Sequence, residues 1–328
     1  MMAIETQTRR TPWTKMGTRF EKVATAEEAI TLAGLDWTVS MNDVYAARDQ
    51  SVGLTFQKIP DKRAVVREDT GEVFNVLGNQ YTPVQNRDAF KFFDAVVGQG
   101  EAIYDTAGMM RGGRNVWILA KLPGGLEVTH DDILEKYILL SNSHDGSRQF
   151  QMLITPIRFI CGNTLTVAIR SGTNHFNARH TSGLFNRVNV ARDIVGLSEA
   201  YFALFMRGVE RLTARPMTTS DAANFFGELY QVDPAKLPNE VHPRKNHALY
   251  ESLRLFEYGV GNDLPGVRGT AWAAYNAVTE YVDHVRPQGA MATAGNVDDP
   301  LIAGKRLYSS WFTSGQDIRQ RAWEGLLN

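Results

Sequence analysis

The chain has 328 residues, 43% hydrophobic and 22% charged, with a formal net charge of −1, which fits a soluble globular protein of one to three domains. No apolar run approaches the ~20 residues of a membrane span, and the N-terminus MMAIETQTRR lacks the apolar core of a secretory signal. Cys161 is the only cysteine, which excludes an internal disulfide and a multi-cysteine zinc site, suits the cytoplasm, and reads as packing rather than as a catalytic thiol.

Residues 1–35 hold a short basic arm (Arg9, Arg10, Lys15, Arg19, Lys22) around Trp13. A helix follows, capped by Thr25 with Glu28 at capping-box distance and stopped at Gly34. Strands are expected at Trp37–Val39, Ala64–Arg67 and Val73–Leu77, with Asp69-Thr-Gly71 as the turn between the last two. Asn86 caps a helix whose apolar face carries Phe90, Phe93, Val96 and Val97, ended by Gly98 and Gly100. Two strands, Ala102–Ala107 and Asn115–Lys121, flank the loop Gly108–Arg114, which reads as a mobile basic hairpin tip. Residues 123–135 read as an acidic connection.

The organising stretch is Lys136–Arg170. Tyr137–Leu140 and Phe150–Ile157 are β-rich apolar runs around a turn-forming segment with Asp145-Gly146, a hairpin pattern. Pro156 donates no ladder bond and restricts its strand to an edge or end position. Leu165, Ala168 and Ile169 fall at helical spacing, so a helix is expected from Asn163 or Thr164. A polar loop with His175, Arg179 and His180 leads into a long amphipathic helix, Gly183–Leu212. That helix carries more large apolar residues than one small sheet requires; the excess is either an interface or packing against the C-terminal helices. Arg215-Pro216 marks a boundary. Beyond it helices are expected at Ala222–Gln231 (capped by Ser220 or Asp221), His247–Tyr258, Thr270–Val285, Pro300–Phe312 and Gln316–Leu327. The expected organisation is an N-terminal arm and helix (1–35), an α+β basic core with an antiparallel sheet (36–215) and an all-helical C-terminal region (216–328).

Charge is unevenly placed. Residues 136–215 hold Lys136 and nine arginines against four acids, a surplus of +6, leaving −7 elsewhere. A basic segment in an acidic chain suits a polyanion, and equally a helix with a solvated arginine face. Arginine clamps phosphate oxygens in pairs where lysine acts as a point charge.

Catalytic signatures are weak. His144 beside Asp145 suits a general base or half a metal site, but a polar hairpin turn is the preferred reading. His242 and His247 lack HExxH spacing, His130 with Asp131 and Asp132 reads as a solvated loop, and His284 at a helix end is favoured by the helix dipole. Walker A, Rossmann and GxSxG motifs do not occur.

Four segments carry a family resemblance: Ala64-Val-Val-Arg-Glu-Asp-Thr-Gly71, Tyr81-Thr-Pro-Val-Gln-Asn86, Leu140-Ser-Asn-Ser-His-Asp-Gly146 and Gly269-Thr-Ala-Trp-Ala-Ala-Tyr-Asn-Ala-Val-Thr-Glu-Tyr-Val-Asp-His284. They resemble the phage/plasmid-like proteins grouped as a domain of unknown function. The resemblance covers nearly the whole chain and implies a cytoplasmic protein of phage, plasmid or integrated-element origin. It carries over no catalytic residues. In element order alone, the helix and strands of residues 86–170 are similar to the core of single-strand annealing recombinases, in which a hairpin and a helix line a basic groove and subunits form rings.

The resulting expectation is a non-enzymatic single-stranded DNA-binding protein acting in annealing or recombination and assembled as a homo-oligomeric ring or filament, with a single-strand binding protein as a candidate partner. Its expected DNA-binding residues are Arg111, Arg114, Lys121, Arg148, Arg158, Arg170, Arg179, His180 and Arg187, with Trp117, Tyr137, Phe150 and Phe159 as nearby base-stacking rings. No cofactor is expected. The alternatives are an enzyme on nucleic acid, with His144, Asp145 and His180 at a Mg2+-dependent site, and a factor that binds a host protein.

Overall fold

The computed structural model describes residues 11–13, 16–21, 25–50, 53–97, 102–167, 175–181, 198–236, 243–288 and 300–328, with single positions between 183 and 196. The fold is α+β: a curled antiparallel sheet with packed helices, and further helices at the C-terminus.

The main sheet is a meander. β5 (Ile103–Met110), β6 (Asn115–Thr129), β7 (Asp132–Ser143) and β8 (Phe150–Arg158) pair in sequence order. β1 (Gly17–Arg19) adds to β5, while β10 (His175–Ala178) and the short β9 (Asn163–Thr164) add to β8. β7 is buried on both faces over most of its length, which is why its sequence reads as a continuous apolar run rather than an alternation. Pro156 lies opposite Lys136, and its carbonyl accepts from Leu165 N, so its missing N–H falls between the stretch of β8 that pairs with β10 and the two residues that pair with β9. Gly146, at φ +69°, supplies the left-handed residue of the turn after β7.

The two faces of this sheet have different covers. On one, Ile118, Ala120, Ile138, Leu140, Phe150 and Met152 pack with α1 (Ala26–Leu32) and α2 (Asn86–Val97). On the other, Trp117, Leu119, Tyr137, Leu139 and Ile157 pack with Trp13 and with Leu307, Trp311 and Phe312 of α7 (Pro300–Phe312). The period-two alternation of β6 and β7 sorts the two sets. This removes three of the four expected stacking rings from any ligand: Trp117, Tyr137 and Phe150 are core residues, and Phe159 alone is exposed.

Four local expectations differ from the structure. Residues 40–63, unassigned from sequence, form most of an arm, in which β2 (Val39–Gln50) pairs with β3 (Gly53–Arg67), itself paired with β4 (Val73–Gly78). Its polar alternation and a bulge between Asp43 and Tyr45 hide the strand signal, because no core lies against the outer half. Asn163 and Thr164 begin no helix; Thr164 N and Oγ1 both donate to Asp283 Oδ2, so a tertiary contact takes the groups a helix start would use. Residues 123–135 continue β6 and β7 rather than forming an acidic connection, and Asp132 is buried. The Gly108–Arg114 hairpin tip is shorter than expected: Gly108–Met110 extend β5, and Arg111–Arg114 make the tight turn.

The remaining helices are α3 (Ser198–Thr213), α4 (Thr219–Tyr230), α5 (Pro243–Tyr258), α6 (Ala271–Glu280) with a π turn to Val285, and α8 (Ser314–Leu327). The cap of α4 is Thr218, whose side chain accepts from Asp221 N in a capping box, two or three residues earlier than the sequence suggested. α3 joins the two cores: Tyr201 and Phe202 pack with the sheet, and Phe205, Val209 and Leu212 with the C-terminal helices. These apolar residues are thus used within the chain; the first part of the expected helix, residues 183–197, lies outside the described residues apart from single positions. Gly208 lets α3 approach α8, since a Cβ there would collide with the Trp323 ring, which stacks on Phe205 at 4.8 Å. No helix of the described residues is long and apolar enough to cross a membrane.

Candidate functional site

Two of the segments quoted above meet at one end of the sheet. Asn86 Nδ2 donates to Leu35 O (3.0 Å) and lies 3.4 Å from Trp37 O, so its Oδ1 is left to accept. His144 Nε2 lies 2.7 Å from that Oδ1 and therefore carries the proton, which leaves Nδ1 as a bare acceptor. The imidazole is fully buried, 5.1 Å from the Trp37 ring and 6.2 Å from Phe74. Asn142 Nδ2 donates to Val84 O and the Tyr81 hydroxyl to Ser143 O, which ties the segment before α2 to the end of β7. His180 stacks on Tyr81 at 5.2 Å, and neither of its ring nitrogens has a hydrogen-bond partner among the described residues.

Burial drives the electrostatics of this cluster. It lowers the His144 pKa to about 3, with the neighbouring His180 and Arg67 acting in the same direction. It lowers the His180 pKa to about 4. Burial opposes ionisation of Asp145, but hydrogen bonds from Ser147 and Ser143 and the Arg111 charge outweigh it and hold the carboxyl below its usual value. Oδ1 of Asp145 takes Ser143 Oγ (2.7 Å), Ser147 N (3.0 Å) and Ser147 Oγ (2.5 Å), and Oδ2 pairs with Arg111 (3.0 Å). Such a donor set does not suit Mg2+, which wants several oxygen ligands. Its one carboxylate is already occupied by hydroxyls and a guanidinium. The described residues contain no group of three His, Cys, Asp or Glu side chains placed to hold a metal. The arrangement fastens the start of α2 to the sheet and holds neutral imidazoles.

The cations expected at a DNA groove are dispersed. Arg158 is fully buried, its guanidinium paired with both Asp132 oxygens (2.6 and 2.9 Å) and donating to Val260 O and Gly261 O, so it cannot reach a phosphate. His180 is buried beside Tyr81. Lys121 pairs with Glu135 at 2.5 Å. Arg114 pairs with Glu72 at 2.7 Å and lies over the Phe74 ring. Arg111, besides Asp145, lies over the Tyr308 ring. Arg179 is exposed. Arg170 and Arg187 lie outside the described residues. Elsewhere in the basic segment, Lys136 pairs with Glu199, while Arg211 and Arg215 donate to Leu327 O and Leu326 O at the end of α8, where a helix favours positive charge.

Arg148 is placed differently. α7 covers only part of its sheet face, and beside its last turn a cleft of about 200 Å³ opens onto β7, β8 and β10. Arg148, Gln151, His175, Asn177, Trp311 and Gln316 are among its lining residues. The Arg148 guanidinium lies 4.7 Å over the Phe312 ring, donates to Phe312 O at 3.0 Å and lies 3.3 Å from Gln151 Oε1. Gln151 in turn donates to Asn177 Oδ1 at 2.8 Å. Guanidinium, amides, imidazole and ring edges thus share one open concavity. Sequence reasoning found Arg148 but not the rest. The alternation His175-Phe-Asn-Ala was a signal that His175 and Asn177 share a face; that Gln151 lies opposite Asn177 comes from the pairing of β8 with β10, and Trp311 and Gln316 come from more than 130 positions away and gave no signal.

A mixed fold with this site defines an α+β protein with a polar cleft on one sheet face. The model of the family described as Domain of unknown function (DUF932) matches residues 73–317, and the chain belongs to that family. No curated protein and no solved structure matches it.

Proposed function

We propose that the chain binds single-stranded nucleic acid, with the cleft beside Arg148 as its platform. The observation that carries this reading is the convergence of the Arg148 guanidinium, three side-chain amides and His175 in one open cleft that Trp311 also lines. Single strands are bound by cationic side chains along the backbone and flat or amide groups against the bases, with no groove geometry required. Exposed Arg179, which follows β10, extends the cationic edge. The reading fits a cytoplasmic protein of phage, plasmid or integrated-element origin that works in strand annealing or recombination. It also fits assembly along a strand as a homo-oligomer, because linking weak sites raises avidity without new contacts.

The test is fluorescence anisotropy with a labelled oligothymidylate. Binding at low salt should weaken steeply as salt rises, through counterion release. Arg148→Glu should weaken it by roughly tenfold or more, as expected for losing one charge-assisted contact and adding repulsion. A strand that fails to bind at low salt, or a folded Arg148→Glu protein with unchanged affinity, refutes the proposal.

A further inference from the structure

A second cavity lies in the helical region, about 270 Å³ in volume, between the end of α4, the start of α5, the π turn after α6, and α8. Arg244, Lys245, Arg286 and Arg321 line it together with Tyr230 and Tyr281, and among the described residues that line it none is acidic. The partners of three of these cations are neutral among the described residues. Arg286 Nη1 donates to Ser309 Oγ and Ser314 Oγ, both at 3.1 Å. Arg321 Nη1 donates to Leu229 O at 3.2 Å, and Lys245 Nζ lies 3.5 Å from Gln231 Oε1. The nearby carboxylate of Glu251, on α5, is engaged by Arg254 at 2.8 Å.

Grouping like charges in a concave, partly desolvated place is unfavourable unless an anion enters. Burial of Arg286 lowers its pKa, the direction expected of a guanidinium without a carboxylate. The two fully buried arginines among the described residues, Arg158 and Arg319, are each paired with a carboxylate, Asp132 and Asp283. Half-buried Arg286 has the Ser309 and Ser314 hydroxyls instead, and it lies at a cavity beside further cations. Guanidinium forks match the paired oxygens of a phosphate, and a lysine adds a point charge. The volume is near the ~300 Å³ lower bound of small-molecule sites, larger than a bare ion requires.

We propose that this pocket binds the phosphate group of a small phosphorylated ligand of nucleotide size, held by Arg286, Arg321 and Lys245. The proposal is independent of the cleft at Arg148, with which this cavity shares no lining residue. The same chemistry is offered by a free mononucleotide and by the 5′-phosphate at the end of a strand.

Isothermal titration calorimetry on the full chain tests it, with inorganic phosphate and dAMP as probes. Both should bind, dAMP more tightly. Arg321→Gln and Lys245→Gln, on partly exposed side chains whose loss leaves the fold intact, should each weaken dAMP by roughly tenfold. Arg286→Gln should weaken it further. Arg148→Glu should leave dAMP binding unchanged, which separates this pocket from the cleft. Displacement of dAMP by a 5′-phosphorylated oligonucleotide but not by its 5′-hydroxyl form identifies a strand end as the source; displacement by neither identifies a free nucleotide. Absence of heat with both probes at low salt, or equal dAMP affinity in wild type and the Arg321 and Lys245 variants, overturns the proposal.

Discussion

Asn86 Oδ1 accepts a 2.7 Å hydrogen bond from His144 Nε2, joining the first turn of α2 to the residue just after β7. The two residues are 58 positions apart, and each sits in a segment that carries the family resemblance. The same amide satisfies backbone carbonyls of the segment leading into β2. Asn86→Ala would leave a buried imidazole donor and the Leu35 carbonyl without their partner. Unpartnered buried groups cost about 1–3 kcal/mol each. Urea unfolding should therefore register a loss of about 3 kcal/mol. A loss below about 0.5 kcal/mol, the range of ordinary surface changes, would show that the amide fastens nothing.

The two buried histidines make stability depend on pH. Their folded pKa values, about 3 for His144 and about 4 for His180, lie below the 6.5 of a free histidine. The unfolded chain therefore binds protons that the folded chain refuses. The stabilisation is complete above pH 6.5 and is lost as pH falls toward about 4 for His180 and about 3 for His144, at up to about 1.4 kcal/mol per pH unit for each histidine. Asp145, with its depressed pKa, acts in the same direction at lower pH. His180→Phe keeps the stack on Tyr81 and removes one titration. Thermal melts at pH 7.5 and 5 should show that variant gaining on wild type as pH drops. A constant difference between the two proteins would contradict the assignment.

The Arg158–Asp132 pair locks β7 and β8 to the loop between α5 and α6, where Val260 and Gly261 accept from Arg158, and to α6 itself, whose Trp272 Nε1 donates to Asp132. Asp132→Asn strands a buried guanidinium, and breaking one partner of such a pair typically costs about 3–5 kcal/mol. Replacing both residues by apolar ones of similar volume should recover much of the loss. Denaturant midpoints of the single and double variants decide; a double variant no more stable than Asp132→Asn would mean that the charges matter less than the shape they fill.

Much of the architecture could be read from the chain itself. The hairpin around Asp145-Gly146, the helix from Asn86 and the succession of C-terminal helices follow from local chemistry: turn residues with positive φ, capping side chains, and apolar periods that match a sheet or a helix. Their signals lie within a few residues of the structure they produce. What a charge does is not local. Arg148 and Arg158 read alike in the sequence, ten positions apart in the same basic segment. Tertiary structure brings Asp132, Val260 and Gly261 to Arg158 and buries it, while it sets Arg148 over Phe312 at an open cleft. The same holds for Trp117 and Phe150, whose rings suit stacking until helices cover both sheet faces. The arm of β2 and β3 went unread for the opposite reason: its outer half packs against no core, so only the short alternation of Leu54 and Phe56 marks it. Composition and pattern therefore determined the elements, and burial by residues far away in sequence decided which side chains remain available to a ligand.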